Sequence, residues 1–263
     1  MSNEVAVKQN AEVSTEVLDA SLIDEVFGSY QVDASDIVIP KLLLMQQSSQ
    51  YVAAEKARLG DFVNSLNGDK LGSIVEPIEI IPFHFRKSWD IVNKDDNNAY
   101  LRNEAFTPAN AMLPWEDKEG AMNIKRIKRL DFFCMVPKML AAGSVLPMVV
   151  SFKSTSYKTG AIILTEWEEM RARNTQLKKL GKAGDMKLPF SKSFVLAGVK
   201  LTNEKKQTYC SSSVIAGVDV PLETQKLCLD WLKTLRTATN IVVDDSEEKE
   251  VTKPAGENFT GDF

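Results

Sequence analysis

Histidine is almost absent from the chain, His84 being the single one in 263 residues, and cysteine occurs only as Cys134, Cys210 and Cys228. No CxxC pair exists and His84 stands far from every cysteine, so the donor sets of a zinc knuckle or a histidine-based metal site are missing. The same spacing offers no disulfide framework, and free buried thiols are the expectation. Long apolar runs are missing too. The longest weakly charged stretch, Met139 to Phe152, is about 14 residues and is interrupted by Gly143 and Pro147, against the roughly 20 that cross a bilayer. The opening Met1-Ser2-Asn3-Glu4 lacks the basic start, apolar middle and cleavage site of a secretory signal, which predicts a cytoplasmic protein.

Catalytic signatures are equally scarce. There is no GxSxG nucleophile elbow and no glycine spacing of a phosphate-binding P-loop. Glu204-Lys205-Lys206 matches the E-x-K fragment that some nucleases use, but it lies in an expected hairpin turn without an aspartate partner on a neighbouring strand. The expectation is a protein that is not an enzyme and takes no cofactor and no metal.

Charge is abundant, and its placement is uneven. The formal net charge is -4. Residues 1–37 hold eight acids against Lys8 alone, a net of -7, and residues 241–263 hold seven acids against Lys249 and Lys253, a net of -5. The 21 acids and 29 bases that remain give residues 38–240 a net of +8. A basic body between acidic ends suits a polyanionic partner in a way the overall charge conceals.

The organisation follows the same division. Residues 1–37 read as a flexible acidic arm with a short helical signal around Ala20 to Phe27, residues 38–240 as the folded domain, and residues 241–263 as a disordered acidic tail. Within the body, Ile74 to Trp89 alternates as one long strand in which Pro77 and Pro82 mark bends or bulges. Asn93 to Asn123 is polar and irregular, a long excursion with Tyr100, Phe106 and Trp115 scattered in it. Ile124 to Val136 and Leu146 to Phe152 resume strand character. Ser154 or Thr155 is placed to cap a helix that runs to Lys179. Phe190 to Leu201 and Gln207 to Val218 form a hairpin, and Pro221 opens a last helix. Strand, strand, strand, helix, strand, strand and a trailing helix is the element order of an OB-like five-stranded barrel, an α+β and mainly β scaffold that holds oligonucleotides.

Candidate contacts to nucleic acid come from clustered bases. Lys125, Arg126, Lys128 and Arg129 crowd one strand, where alternation sends Arg126 and Lys128 to one face and Lys125 and Arg129 to the other. Arg171, Arg173, Lys178, Lys179, Lys182, Lys187 and Lys192 form a second basic run over the helix end and a glycine-containing loop. Aromatics interleave: Phe83, Phe85 and Trp89 near Arg86 and Lys87, Phe132 and Phe133 after Arg129, and Phe152 and Tyr157 around Lys153 and Lys158. Single-strand binding needs this mixture, because cations hold the backbone while rings stack on bases of any identity. Phe83 and Phe85 are expected on one strand face. The segment from Lys153 to Gly160, with its hydroxyls and two lysines before a helix, is a further anion-friendly corner.

The last 20 residues are polar and acidic and end in Gly261-Asp262-Phe263. This ending resembles the C-terminal tips of bacterial and phage single-stranded DNA-binding proteins. The resemblance implies an OB-fold body that coats single strands and a tip, here Asp262 and Phe263, that docks replication or recombination proteins. The body, from Ile39-Pro-Lys-Leu-Leu-Leu-Met-Gln46 and Gly60-Asp-Phe-Val-Asn64 to about residue 218, also resembles a group of phage-encoded proteins. The long acidic N-terminal arm and the lack of a Gly/Gln/Pro-rich linker depart from the bacterial pattern. The leading expectation is sequence-independent binding of single-stranded DNA in phage replication or recombination, with homo-oligomers as an option. The alternative is a phage structural or assembly protein.

Overall fold

The computed structural model describes residues 37–204, 206–237 and 242–243, all within one unit that spans residues 34–263. The expected acidic arm, acidic tail and tip residues Asp262 and Phe263 lie outside the described residues, apart from Ile37 and Val242–Val243. In chain order the first strands are β1 (Val38–Ile39), β2 (Leu42–Leu44), β3 (Phe62–Asn64) and β4 (Lys70–Gly72). The central ones are β5 (Ile78–Asn93), β6 (Ala99–Ala105), β7 (Glu116–Glu119), β8 (Met122–Met135) and β9 (Met148–Lys153). Then follow β10 (Lys192–Thr202), β11 (Thr208–Asp219) and β12 (Val242–Val243). The helices are α1 (Gln50–Ala53), α2 (Pro137–Ala141), α3 (Tyr157–Lys179) and α4 (Leu222–Thr237).

An antiparallel ribbon of β5 and β8 forms the spine, paired from Ile81 opposite Met135 to Asn93 opposite Ile124. At one end β10 joins β5, through Phe194–Leu196 opposite Ile80–Ile78, and carries β11 beyond it, while β9 joins β8. At the other end β6 flanks β5 and β7 flanks β8. The sequence between Asn93 and Asn123 is therefore no irregular excursion. Its strands β6 and β7 find unpaired edges on the ribbon and widen it into a four-stranded arm, which polar composition alone did not betray.

Pro82 sits where expected, at a bulge: the register shifts between Pro82 and His84. The extra residue reverses the alternation and corrects one expectation. Phe83 packs with Phe133 on one side of the sheet, whereas Phe85 packs with Phe132 and Trp167 on the other. The first side of the core gathers Ile78, Ile80, Leu130, Phe132, Val150, Phe152 and Phe194 under α3. Gly160 lets α3 approach β9, since a Cβ there would stand 2.9 Å from the Phe152 side chain. The opposite side, with Ile81, Phe83, Phe133, Met135 and Val149, is covered by Cys228, Trp231 and Leu235 of α4. All three cysteines are free and buried. Burial pushes the Cys228 thiol up to about 12, which keeps it unreactive.

The molecule is mainly β with a few helices, and its sheets are open. A five-stranded barrel needs a fifth pairing to close the path β9-β8-β5-β10-β11, that of β9 with β11, and among the described residues it is not formed. Residues 40–46 lie in that seam instead. The Val149 amide donates to the Pro40 carbonyl at 2.8 Å. At the other edge the Gln46 carboxamide accepts from the Cys210 amide and donates to the Cys210 carbonyl, both at 2.9 Å. A side chain here takes the place of a strand partner. No helix among the described residues is long and apolar enough to cross a membrane.

Candidate nucleic-acid interface

The basic residues singled out in the sequence fall in three places. The first is a buried ionic cluster on the ribbon. Arg129, 2% exposed, donates from Nε to Asp131 at 2.7 Å, from Nη1 to Asp90 at 3.4 Å and from Nη2 to Ser151 at 3.1 Å. Arg86 donates to the other Asp131 oxygen at 2.8 Å, and the Lys153 ammonium lies 3.6 Å from Asp90. Burial works to raise the Asp131 carboxyl, but Arg129, Arg86 and the Ser151 hydroxyl outweigh it and hold it below the usual carboxylate range. Arg129 is thus enclosed by carboxylates and is not placed to meet a phosphate, because a strand that alternates must send it to the side where Asp90 and Asp131 stand.

The second place is the arm. Trp89 is 4% exposed, stacks against Phe106 with ring centroids 5.8 Å apart, and donates from its indole nitrogen to Asn110 at 3.2 Å. Asn110 also accepts from the Thr107 amide and donates to the Ala105 carbonyl, so it folds the β6–β7 connection over the indole. Trp89 therefore shapes the arm and offers no ring face of its own. Arg126 is buried as well: it donates to the Pro114 carbonyl at 2.9 Å and to Asp117 at 3.3 Å. Lys94 and Arg102 are engaged by Glu116, Glu104 and Glu119.

Four lysines of the arm, Lys87, Lys118, Lys125 and Lys128, have no carboxylate partner among the described residues, and all but Lys118 lie over a ring. Lys87 Nζ is 5.9 Å from the Phe85 centroid and 6.0 Å from that of Phe106. Lys128 Nζ is 5.6 Å from Trp89, and Lys125 Nζ is 5.0 Å from Trp115. Lys128 and Arg126 oppose Trp89 and Ile91 on one face of the ribbon, as the alternation required. Cation and ring thus occur as pairs with an outward-facing charge.

The third place is α3 and its surroundings. Lys158, Lys178, Lys179 and Lys182 are exposed, Lys192 is half-buried at the start of β10, and Tyr157 packs against the core. Neither Ser154 nor Thr155 caps the helix. The chain makes a 3-10 turn over Ser154–Ser156, and the Ser156 hydroxyl accepts from the Lys153 amide at 3.0 Å. The anion-friendly corner does open onto a space: Lys153, Thr155 and Ser156 line a cavity of about 310 Å³ in the β9–β11 seam, with Lys41, Tyr209 and Ser212 opposite. Among the described residues no group of three or more His, Cys, Asp or Glu could hold a metal ion.

The sequence pointed to Phe106 and Trp115 only as aromatics scattered in a long excursion, not as candidate contacts, and to Asn110 not at all. The signal for the two rings was present, since isolated aromatics in a polar stretch have no core of their own to enter.

A family model for Pam3 phage gp34-like proteins matches residues 8–225. The chain belongs to that family. No curated protein and no solved structure matches it. The family's matched span takes in the whole ribbon, the arm with its three ring-paired lysines, and the seam at residues 40–46.

Proposed function

We propose that this phage-family protein binds single-stranded DNA without sequence preference, in DNA replication or recombination in the host cytoplasm, and that it acts by binding and not by catalysis. The observation that carries the reading is the arm: three lysines without a carboxylate partner among the described residues, each over a ring, with Lys87 and Lys128 on one face of the ribbon and Lys125 on the other by alternation. OB-type folds hold oligonucleotides with the strand 2–3 face and the loops after strands 1 and 4. The arm occupies the first of those loops, between β5 and β8. The finer assignment to an OB-like fold is supported by the unbroken pairing β9-β8-β5-β10-β11 with α3 between β9 and β10. The exposed Lys178 and Lys179 at the end of α3, and Lys182 just beyond it, supply further cations for phosphates. The acidic residues at the chain's end, closing on Asp262 and Phe263, recruit replication or recombination proteins.

The test is fluorescence anisotropy with a labelled oligo-dT across a salt series. Binding at low salt that weakens linearly in the logarithm of salt concentration is the expected result. No binding at low salt, or binding indifferent to salt, overturns the proposal. Removing residues 256–263 should leave oligo-dT binding intact or stronger while abolishing partner contact.

A further inference from the structure

Trp115 is the most exposed of the indoles described, at 63%, whereas Trp89 is buried and Trp167 and Trp231 pack against the core. Beside it in the chain Met112 is 92% exposed and Leu113 43%. An apolar group of this kind, left in water, marks a place of contact. Its backbone is held firmly. The Arg126 amide donates to the Trp115 carbonyl at 2.7 Å, and the Arg126 guanidinium grips the Pro114 carbonyl and Asp117 on either side. Lys125 spans one side of the indole, its Nζ 5.0 Å from the ring centroid. A buried arginine thus fixes a segment whose aromatic residue is turned outward, which is the arrangement of a platform prepared before its ligand arrives.

We propose that Trp115 is a nucleobase-stacking residue of the interface, with Lys125 beside it for the adjoining phosphate and Arg126 as the positioning residue. The inference rests on the single-strand reading above and gives it a particular contact. An unpaired base presents its whole π-face, whereas bases within a duplex present theirs only at the ends. Lysine next to the ring selects an anionic partner. The occupant is therefore single-stranded nucleic acid.

Intrinsic tryptophan fluorescence tests this with the full chain and an unlabelled 20-nucleotide oligo-dT. Stacking should quench emission in the native protein, and Trp115→Phe should lose most of the quenching while keeping affinity within a few-fold. Trp115→Ala should weaken binding about tenfold or more. Lys125→Gln should lower the salt slope by about 0.7, the contribution of one phosphate contact on a single strand. If oligo-dT binds the native protein but Trp115→Ala binds equally well, or quenching persists in Trp115→Phe, this inference fails while the function stands. If the native protein does not bind oligo-dT, both fall. Equal quenching by a duplex of the same length, or quenching only by phosphatidylglycerol vesicles, overturns the inference in favour of another surface.

Discussion

Replacing Arg129 with methionine should destabilise the fold severely while leaving the arm's lysines in place. The residue is 2% exposed, and its partners Asp90 and Asp131 are 1% and 0% exposed. Removing one member of a buried ion pair leaves the other charge without compensation, at about 3 to 5 kcal/mol. Here Asp131 keeps Arg86 at 2.8 Å and Ser151 at 2.6 Å, and Asp90 keeps Asn103 at 2.8 Å. The loss should therefore lie near the lower end, about 3 kcal/mol, which for a domain of this size lowers Tm by roughly 6 to 12 °C. The pH dependence gives a sharper signature. In the native protein the Asp131 carboxyl is held below its ordinary 3.8, so its stabilising contribution is full above that value and is lost as pH falls through the folded pKa. In Arg129→Met the balance of burial against one fewer guanidinium moves the folded pKa upward. Protonation then relieves the variant, and the gap between variant and native protein should narrow as pH falls from 7 to 5. Urea unfolding at both pH values reads this directly. A loss under about 0.5 kcal/mol, the range of ordinary surface changes, or a gap that widens at pH 5, would refute the reasoning.

Acid should also act through His84, whose pKa is lowered by burial and then by Arg236 and Arg86. A depressed folded pKa means stability that is full above the ordinary 6.5 and declines as pH falls toward the folded value, so a His84→Gln variant should lose less stability than the native protein between pH 7 and 5 in the same urea titrations. Gly160→Ala forces a methyl to within 2.9 Å of the buried Phe152 side chain and should cost about 1 to 3 kcal/mol, set against the gain of about 1 kcal/mol in helix propensity. Gly184→Ala, which meets nothing within 4 Å, is the control and should leave Tm unchanged. The double variant Lys87→Gln/Lys128→Gln should keep its Tm but reduce the salt slope of oligo-dT binding by about 1.4, and an unaltered slope would remove these two lysines from the interface.

Much of the body was legible in the sequence because strong periodicity survives context. The ribbon strands, the β10–β11 hairpin and both long helices came out within a few residues, and the alternation placed Arg126 with Lys128 as the structure does. The failures have particular causes. β6 and β7 were hidden because a strand at a sheet edge with both faces wet needs no apolar alternation, and Leu101-Arg102-Asn103-Glu104 shows none. Phe83 and Phe85 parted because one bulge residue inverts a period of two. Barrel closure depends on a contact between β9 and β11 that residues 40–46 pre-empt, and nothing local to either strand records that. At the site, a count of bases could not separate Arg129, which answers buried carboxylates, from Lys128 one position away, which faces outward. Which cations are spare is a property of their neighbours across the sheet.

The ribbon has a mechanical consequence. β5 and β8 are single strands of 16 and 14 residues, about 50 Å of continuous backbone at the usual rise, and the same two strands line the core at one end and carry the lysines at the other. No linker or glycine pivot separates the two ends, so the arm behaves as a cantilever clamped in the hydrophobic interior. Load applied at its tip is borne by the Phe132 and Phe133 packing and not taken up by a joint. A ligand on the arm meets a surface that needs little ordering, and swinging it aside would require bending the sheet itself.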